Sequence, residues 1–214
     1  MRNISKLHSM TNNHIALLDL QYLPPADLVC KLNGYAELRM EQHDHYQKGS
    51  FRNRCCILGS NGVINLSVPL RKGKHQQQPM QEVRIANDTA WQRQHFRSLR
   101  AAYGSAPFWE HYADRLEPLF ATEYDLLADW NMDLWHVLKK ILKWDEVQLT
   151  RTENYEAVAA TGITDFRGQF MPNNSHSPTL PYPQVFADRF GFVPHLSAID
   201  ALFCCGANYF TIDK

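Results

Sequence analysis

An excess charge of either sign is the first thing missing: 22 lysines and arginines are matched by 22 aspartates and glutamates over 214 residues, for a formal net charge of zero. No global field therefore steers the chain to nucleic acid or to an anionic membrane, and any anion binding must be local. No stretch reaches the ~18 to 20 apolar residues of a membrane-spanning helix, and residues 1–13 lack the apolar run of a signal peptide. These absences predict a soluble, cytoplasmic protein with no membrane insertion and no nucleic-acid partner. Cys30, Cys55, Cys56, Cys204 and Cys205 include two adjacent pairs and no C-x-x-C spacing, so neither a zinc pattern nor a disulfide framework is present. Missing too are G-x-G-x-x-G, G-x-x-x-x-G-K-[ST] and G-x-S-x-G, which removes the common nucleotide-binding and hydrolase signatures. No cofactor is predicted.

What is present centres on residues 41–70. Glu41, His43, Asp44, His45, Lys48, Arg52, Asn53 and Arg54 crowd the first half of that stretch. Two strand-like runs, Cys55 to Leu58 and Ile64 to Leu70, follow it around a Gly-Ser-Asn-Gly turn, so a polar loop enters a hairpin. Before the loop, His14 to Leu20 reads as a strand, Ala26 to Leu32 as a helix and Ala36 to Met40 as a strand with Leu38 and Met40 on one face and Glu37 and Arg39 on the other.

After the hairpin, Arg71 to Gln78 reads as a solvated loop rather than a flap, and Val83 to Ala86 as a short strand. Asn87-Asp88-Thr89 is expected to cap a helix over Ala90 to Tyr103 with a stripe of Trp91, His95, Leu99 and Ala102. A second helix opens at Ser105 and Pro107, and Thr122-x-x-Asp125 resembles a capping box for a third. Val147 to Arg151 can return as a strand, and Ser197-x-x-Asp200 opens a short terminal helix closed by Gly206. The fold class expected is α+β (mixed α/β): N-terminal strands forming one sheet covered by three central helices. A single domain over 14–214 follows an N-terminal extension, 1–13.

Three groups carry candidate chemistry. Lys48, Arg52 and Arg54 beside Asn53 can hold a phosphate or carboxylate, as in a nucleotide or sugar phosphate; an exposed basic loop is the plainer reading. Glu41, His43 and His45 share a face if the strand continues, and could relay protons or bind a metal, but no third ligand is identifiable and no metal is assigned. His95 is the other candidate base, although a histidine between Trp91 and Leu99 is more often a hydrogen-bonded core residue. Arg167 is a substrate clamp or one half of an ion pair, and Cys55 and Cys56 are read as buried thiols rather than nucleophiles. Short connections keep consecutive elements adjacent, so Lys48, Asn53 and Arg54 are expected to face a cleft also reached by His43 and His95.

Together Tyr22-Leu23-Pro24, Lys48 through Asn53-Arg54, Leu66-Ser67-Val68-Pro69, Trp91 with His95, Ala102-Tyr103 with Ala106-Pro107-Phe108, and Leu196-Ser197-x-x-Asp200-x-Leu202-Phe203 resemble the WbqC-like family. The resemblance implies a setting in bacterial surface polysaccharide and O-antigen biosynthesis. It implies a sugar nucleotide as small-molecule partner, acyl or aminoacyl transfer to an amino sugar from a matching donor, and pathway proteins as further partners. The alternative is a non-catalytic sugar-nucleotide-binding or scaffold protein of the same pathway. The catalytic candidates are then His95, His43 and Glu41, with Lys48, Arg52, Asn53, Arg54, Tyr22 and Arg167 binding substrate. Two departures stand out: members often carry Gln-Pro before the Tyr-x-Pro element where this chain has Leu20-Gln21, and an Asp-rich group where it has Glu41-His43-Asp44-His45.

Overall fold

Alternation of apolar and polar residues builds the sheet. In a computed structural model that describes residues 14–71, 78–172 and 180–211, β1 (Ile15–Asp19) and β2 (Glu37–Glu41) are joined by helix α1 (Ala26–Lys31) and lie parallel, Leu17 opposite Arg39. Ala16, Leu18, Leu38 and Met40 are fully buried on one face, as the period of two requires. Leu17, Glu37, Arg39 and Glu41 share the other.

The expected mixed α/β class is present, but the sheet is not made of N-terminal strands alone. Its order is β5-β2-β1-β6, all parallel, with β5 (Gln148–Arg151) and β6 (Ile163–Asp165) supplied from the C-terminal half. The hairpin, β3 (Arg54–Gly59) and β4 (Gly62–Ser67), forms a separate two-stranded sheet. It cannot join the larger one through β3, whose outer edge is occupied: Cys56 O accepts from Ser197 N at 2.8 Å, and Leu58 N donates to the Tyr103 hydroxyl at 3.2 Å. Gly62, with φ of 110°, closes the hairpin turn in a conformation that a side chain would strain.

Three helices follow: α2 (Trp91–Tyr103), α3 (Trp109–Ala121) and α4 (Leu127–Ile141). The stripe Trp91, His95, Leu99 and Ala102 is buried, and the helices share one continuous core with β1, β2 and the hairpin. Helix α4 is bolted to the carboxyl side of β1. Asn131 Nδ2 donates to Leu20 O at 3.0 Å and to Arg52 O at 2.7 Å, and Trp135 Nε1 donates to Gln21 O at 3.1 Å. Two short helices close the chain, α5 (Ala187–Phe190) and α6 (Ala198–Cys205).

Several local expectations were overridden by tertiary partners. Val83 to Ala86 makes isolated bridges instead of a strand, because Ile85 N and Val83 O bond to Asp125 O and Leu127 N. Asn87 does not cap α2; its Oδ1 accepts from Trp91 Nε1 at 3.2 Å. Nor does the Thr122-to-Asp125 capping box form: α4 starts two residues later, and Asp125 instead pairs with Arg71, at 2.9 Å, and Arg84. At α6 the Ser197 hydroxyl does cap, accepting from Ile199 N, while Asp200 is buried against the Tyr103 hydroxyl at 2.7 Å. The N-terminal extension, 1–13, lies outside the described residues, as does most of the Arg71 to Gln78 connection.

Candidate functional site

Parallel strands point their carboxyl ends the same way, and here those ends carry the buried charge. From β1 the chain moves to β2 and β5 on one side and returns to β6 on the other, so β1 and β6 flank the point where the connections diverge. Open parallel sheets form their ligand crevices at the carboxyl ends of the strands beside such a point. Asp19 ends β1, Glu41 ends β2, Thr152 follows β5, and Asp165 ends β6 with Arg167 just beyond.

Arg52 reaches this edge from the polar loop. Its Nη2 lies 2.7 Å from Asp19 Oδ1 and 2.6 Å from Asp44 Oδ2, and Nη1 donates to His45 O at 2.6 Å. Asp19 Oδ2 accepts from Gly168 N at 2.8 Å. Burial alone would lower the Arg52 pKa, but the two carboxylates outweigh it and hold the group above its ordinary value. A guanidinium so engaged ties the loop to β1 and is not free to hold an anion.

Glu41 organises the other half. Its Oε1 accepts from His43 N at 2.8 Å, Asp44 N at 3.2 Å and the Thr152 hydroxyl at 2.9 Å, while Oε2 pairs with Arg167 Nη1 at 3.2 Å. Two of those donors are the backbone amides just beyond β2, so the carboxylate itself turns the chain out of the strand. Alternation therefore stops at Glu41, and His45 is exposed rather than sharing a face with it. Arg167 also grips Asp165, Nη2 to Oδ2 at 2.7 Å, and donates to Glu156 O. Burial would raise the Asp165 pKa; the hydrogen bonds from Arg167 outweigh it and lower it. Arg167 thus clamps β2, β6 and the segment between β5 and β6.

His43 is half-buried, and its Nε2 lies 3.0 Å from Thr152 O. A carbonyl only accepts, so the neutral ring carries its proton on Nε2 and leaves the Nδ1 lone pair to take another. Thr152 and Glu41 also line a cleft of about 390 Å³ on the face of the sheet opposite the helices, together with Glu37, Arg39, Thr150 and Asn154. Glu37 Oε1 accepts from Arg39 Nε at 2.9 Å and the Thr150 hydroxyl at 2.6 Å. Burial would raise its pKa, but those two partners lower it, so the carboxylate is ionised. The cleft wall is a lattice of carboxylate, hydroxyl and guanidinium groups, the chemistry that recognises a polyhydroxylated molecule.

The remaining candidates lie elsewhere. His95 is in the core: Nδ1 is 2.9 Å from the Tyr22 hydroxyl, and the ring packs edge-on to Trp91. Burial drives its pKa down from 6.5 to about 4, so the ring is neutral at pH 7. Buried together in the core, Tyr22 and His95 form a structural pair. Asn53 is buried and structural as well, its Oδ1 accepting from the Tyr46 hydroxyl and its Nδ2 donating to Val68 O, both at 2.9 Å. Lys48 is exposed on the loop, and Arg54 is half-buried at the start of β3. The expected convergence of Lys48, Asn53, Arg54, His43 and His95 on one cleft is not formed. Burial also raises the pKa of Cys55 well above the usual thiol value, consistent with an inert thiol.

Asp19, Thr150, Thr152 and Asp165 were not singled out from the sequence, and Asp44 and Glu37 were named without a role in a site. Asp19 left one trace, a lone carboxylate ending an apolar run. Among the described residues no group of three His, Cys, Asp or Glu side chains is disposed to hold a metal ion.

Fold and site together define an α/β protein with a buried, paired charge cluster at the carboxyl edge of a parallel sheet and a polar cleft on that sheet's open face. The model of the WbqC-like protein family matches residues 21–167 of the 214, and the chain belongs to that family. No curated protein and no solved structure matches it. The matched region contains Glu41, His43, Arg52 and Arg167; Asp19 and the closing Leu196-to-Phe203 motif fall outside it. No described helix is long and apolar enough to cross a membrane.

Proposed function

We propose that this protein is a cytoplasmic enzyme of bacterial surface-polysaccharide biosynthesis, of the O-antigen type, that acylates or aminoacylates the amino group of a nucleotide-linked sugar. The observation that carries this reading is the 390 Å³ cleft lined by Glu37, Arg39, Glu41, Thr150 and Thr152, with the His43 imidazole bonded to the same Thr152. Its volume falls in the range of small-molecule sites. Its charged lining is acidic in balance, with Glu37, Glu41, Glu153 and Glu156 against Arg39 and Arg151, which suits hydroxyl and amine groups better than phosphates. The sugar ring would occupy the cleft and the nucleotide would extend from it.

In this mechanism the sugar amine attacks the carbonyl carbon of a thioester or ester donor. His43 Nδ1 takes the amine proton and returns it to the departing thiol or alcohol, so an amide forms as the C–S or C–O bond breaks. Glu37 and Thr150 would orient the ring hydroxyls. Glu41 already bonds His43 N, the Thr152 hydroxyl and Arg167, and acts by positioning His43 and Thr152.

A thermal-shift screen against nucleotide-linked amino sugars, followed by turnover assays with acyl and aminoacyl thioesters, tests the reading. Stabilisation by an amino sugar nucleotide and formation of its amide are expected. Stabilisation without turnover under any donor, with capture of a pathway protein, would instead establish the non-catalytic binding or scaffold role.

A further inference from the structure

Among the described residues, the outer edge of β4 is the strand edge left without a device against pairing. The edges of the parallel sheet are β5, which carries Arg151, and β6, which is three residues long and ends in Asp165; charge and brevity both discourage strand addition. The outer edge of β3 is covered by Ser197 and Tyr103. Strand β4, Gly62–Ser67, reads GVINLS and contains neither a charged residue nor a proline. Val63 and Ile64 are 50% and 38% exposed, among the most exposed large apolar residues described.

The ladder itself fixes which backbone groups are available. Val68 N donates to Asn53 O at 2.7 Å, and hydrogen-bonded and non-hydrogen-bonded pairs alternate along an antiparallel ladder. The backbone groups of Val63, Asn65 and Ser67 therefore point away from β3. Among the described residues none of these outward groups has a backbone partner on that edge.

We propose that β4 pairs antiparallel with β4 of a second copy of this chain, centred on Ile64, joining the two hairpins into one four-stranded sheet. Only that register sets Val63 of one copy against Asn65 of the other in both symmetry-related pairs, so the outward N–H and C=O of these two residues find partners. It also places Ile64 opposite Ile64, an apolar cross-strand pair. The arrangement is isologous and closed, as a two-fold dimer requires. A second copy suits the edge electrostatically, because the strand is uncharged and the whole chain carries a formal net charge of zero, leaving no long-range repulsion between copies.

Analytical ultracentrifugation of the full chain over a range of concentrations is the test. A species of twice 24.8 kDa is expected to form as concentration rises. Ile64→Lys would bring two ammonium groups face to face and should weaken association on the order of 100-fold or more. Asn65→Pro, which removes an outward N–H, should do the same, with circular dichroism confirming the native fold of both variants. In the wild type, hydrogen exchange at the Val63 and Asn65 amides should slow as the dimer forms. A chain that stays monomeric up to its solubility limit overturns the proposal, as does a dimer that survives both substitutions. Should either variant fail to fold, exchange at those two amides that is independent of protein concentration overturns it equally.

Discussion

The Tyr22 hydroxyl lies 2.9 Å from His95 Nδ1, joining residues 73 positions apart across the core. Burial keeps the imidazole neutral at pH 7, so the two groups share one uncharged hydrogen bond in the core. The pair ties the loop after β1 to α2, and burial keeps its imidazole neutral.

That condition sets a pH dependence. Because burial lowers the folded-state pKa of His95 from 6.5 to about 4, the unfolded chain binds a proton in that window and the folded chain does not. Stability from this group is fully present above pH 6.5 and is lost as pH falls toward 4, by ~3 kcal/mol in all. Urea unfolding at a series of pH values should show this slope, and His95→Gln should flatten it while lowering stability at pH 7.5. An equal slope in the variant would mean that other groups account for the acid sensitivity.

Removing the hydroxyl alone, with Tyr22→Phe, leaves the buried His95 Nδ1 without its hydrogen-bond partner. The expected cost is ~1–3 kcal/mol, read as a lower denaturation midpoint with an unchanged slope in denaturant. A neutral result would show that water reaches the ring.

Asp19 and Arg52 are each 4% exposed and 2.7 Å apart, so cutting one strands a charge in the interior. Arg52→Ala should destabilise the fold by about 3–5 kcal/mol, the cost of leaving a buried carboxylate uncompensated. Asp19→Asn combined with it should recover part of the loss. Equilibrium unfolding of the single and double variants checks both statements, and a loss below ~1 kcal/mol for Arg52→Ala, typical of an exposed pair, would show that the pair is solvated.

Base catalysis by His43 predicts separated kinetic effects. His43→Ala should lower kcat by about 10²- to 10⁴-fold with little change in KM, while Thr150→Val should act mainly on KM. Thermal shift by the amino sugar nucleotide should persist in the His43 variant. Turnover within about twofold of wild type in His43→Ala would remove the imidazole from the mechanism.

The thiols offer a control on the chemistry. Cys55 is fully buried and burial pushes its pKa up, so it should resist alkylation in the native protein and react only on unfolding. Cys55→Ser should retain turnover, which mass spectrometry of labelled peptides and a rate assay can follow together. Loss of turnover in a folded Cys55→Ser protein would reopen covalent catalysis.

Local periodicity determined much of this protein. The alternation of Leu38 and Met40 with Glu37 and Arg39 set both faces of β2, and the spacing of Trp91, His95, Leu99 and Ala102 set the buried stripe of α2, because side-chain direction follows from backbone geometry within a few residues. The motif set also carried the family. What the sequence by itself did not determine is which charges meet. Asp19 finds Arg52 and Glu41 finds Arg167 only after a parallel sheet draws β1, β2 and β6 together, and parallel pairing is made by crossovers that leave no mark in the local pattern. Tertiary structure likewise separated two histidines of equal promise. His95 was drawn into the core, where desolvation keeps it neutral, while His43 stopped at the rim because the Glu41 carboxylate turned the chain there.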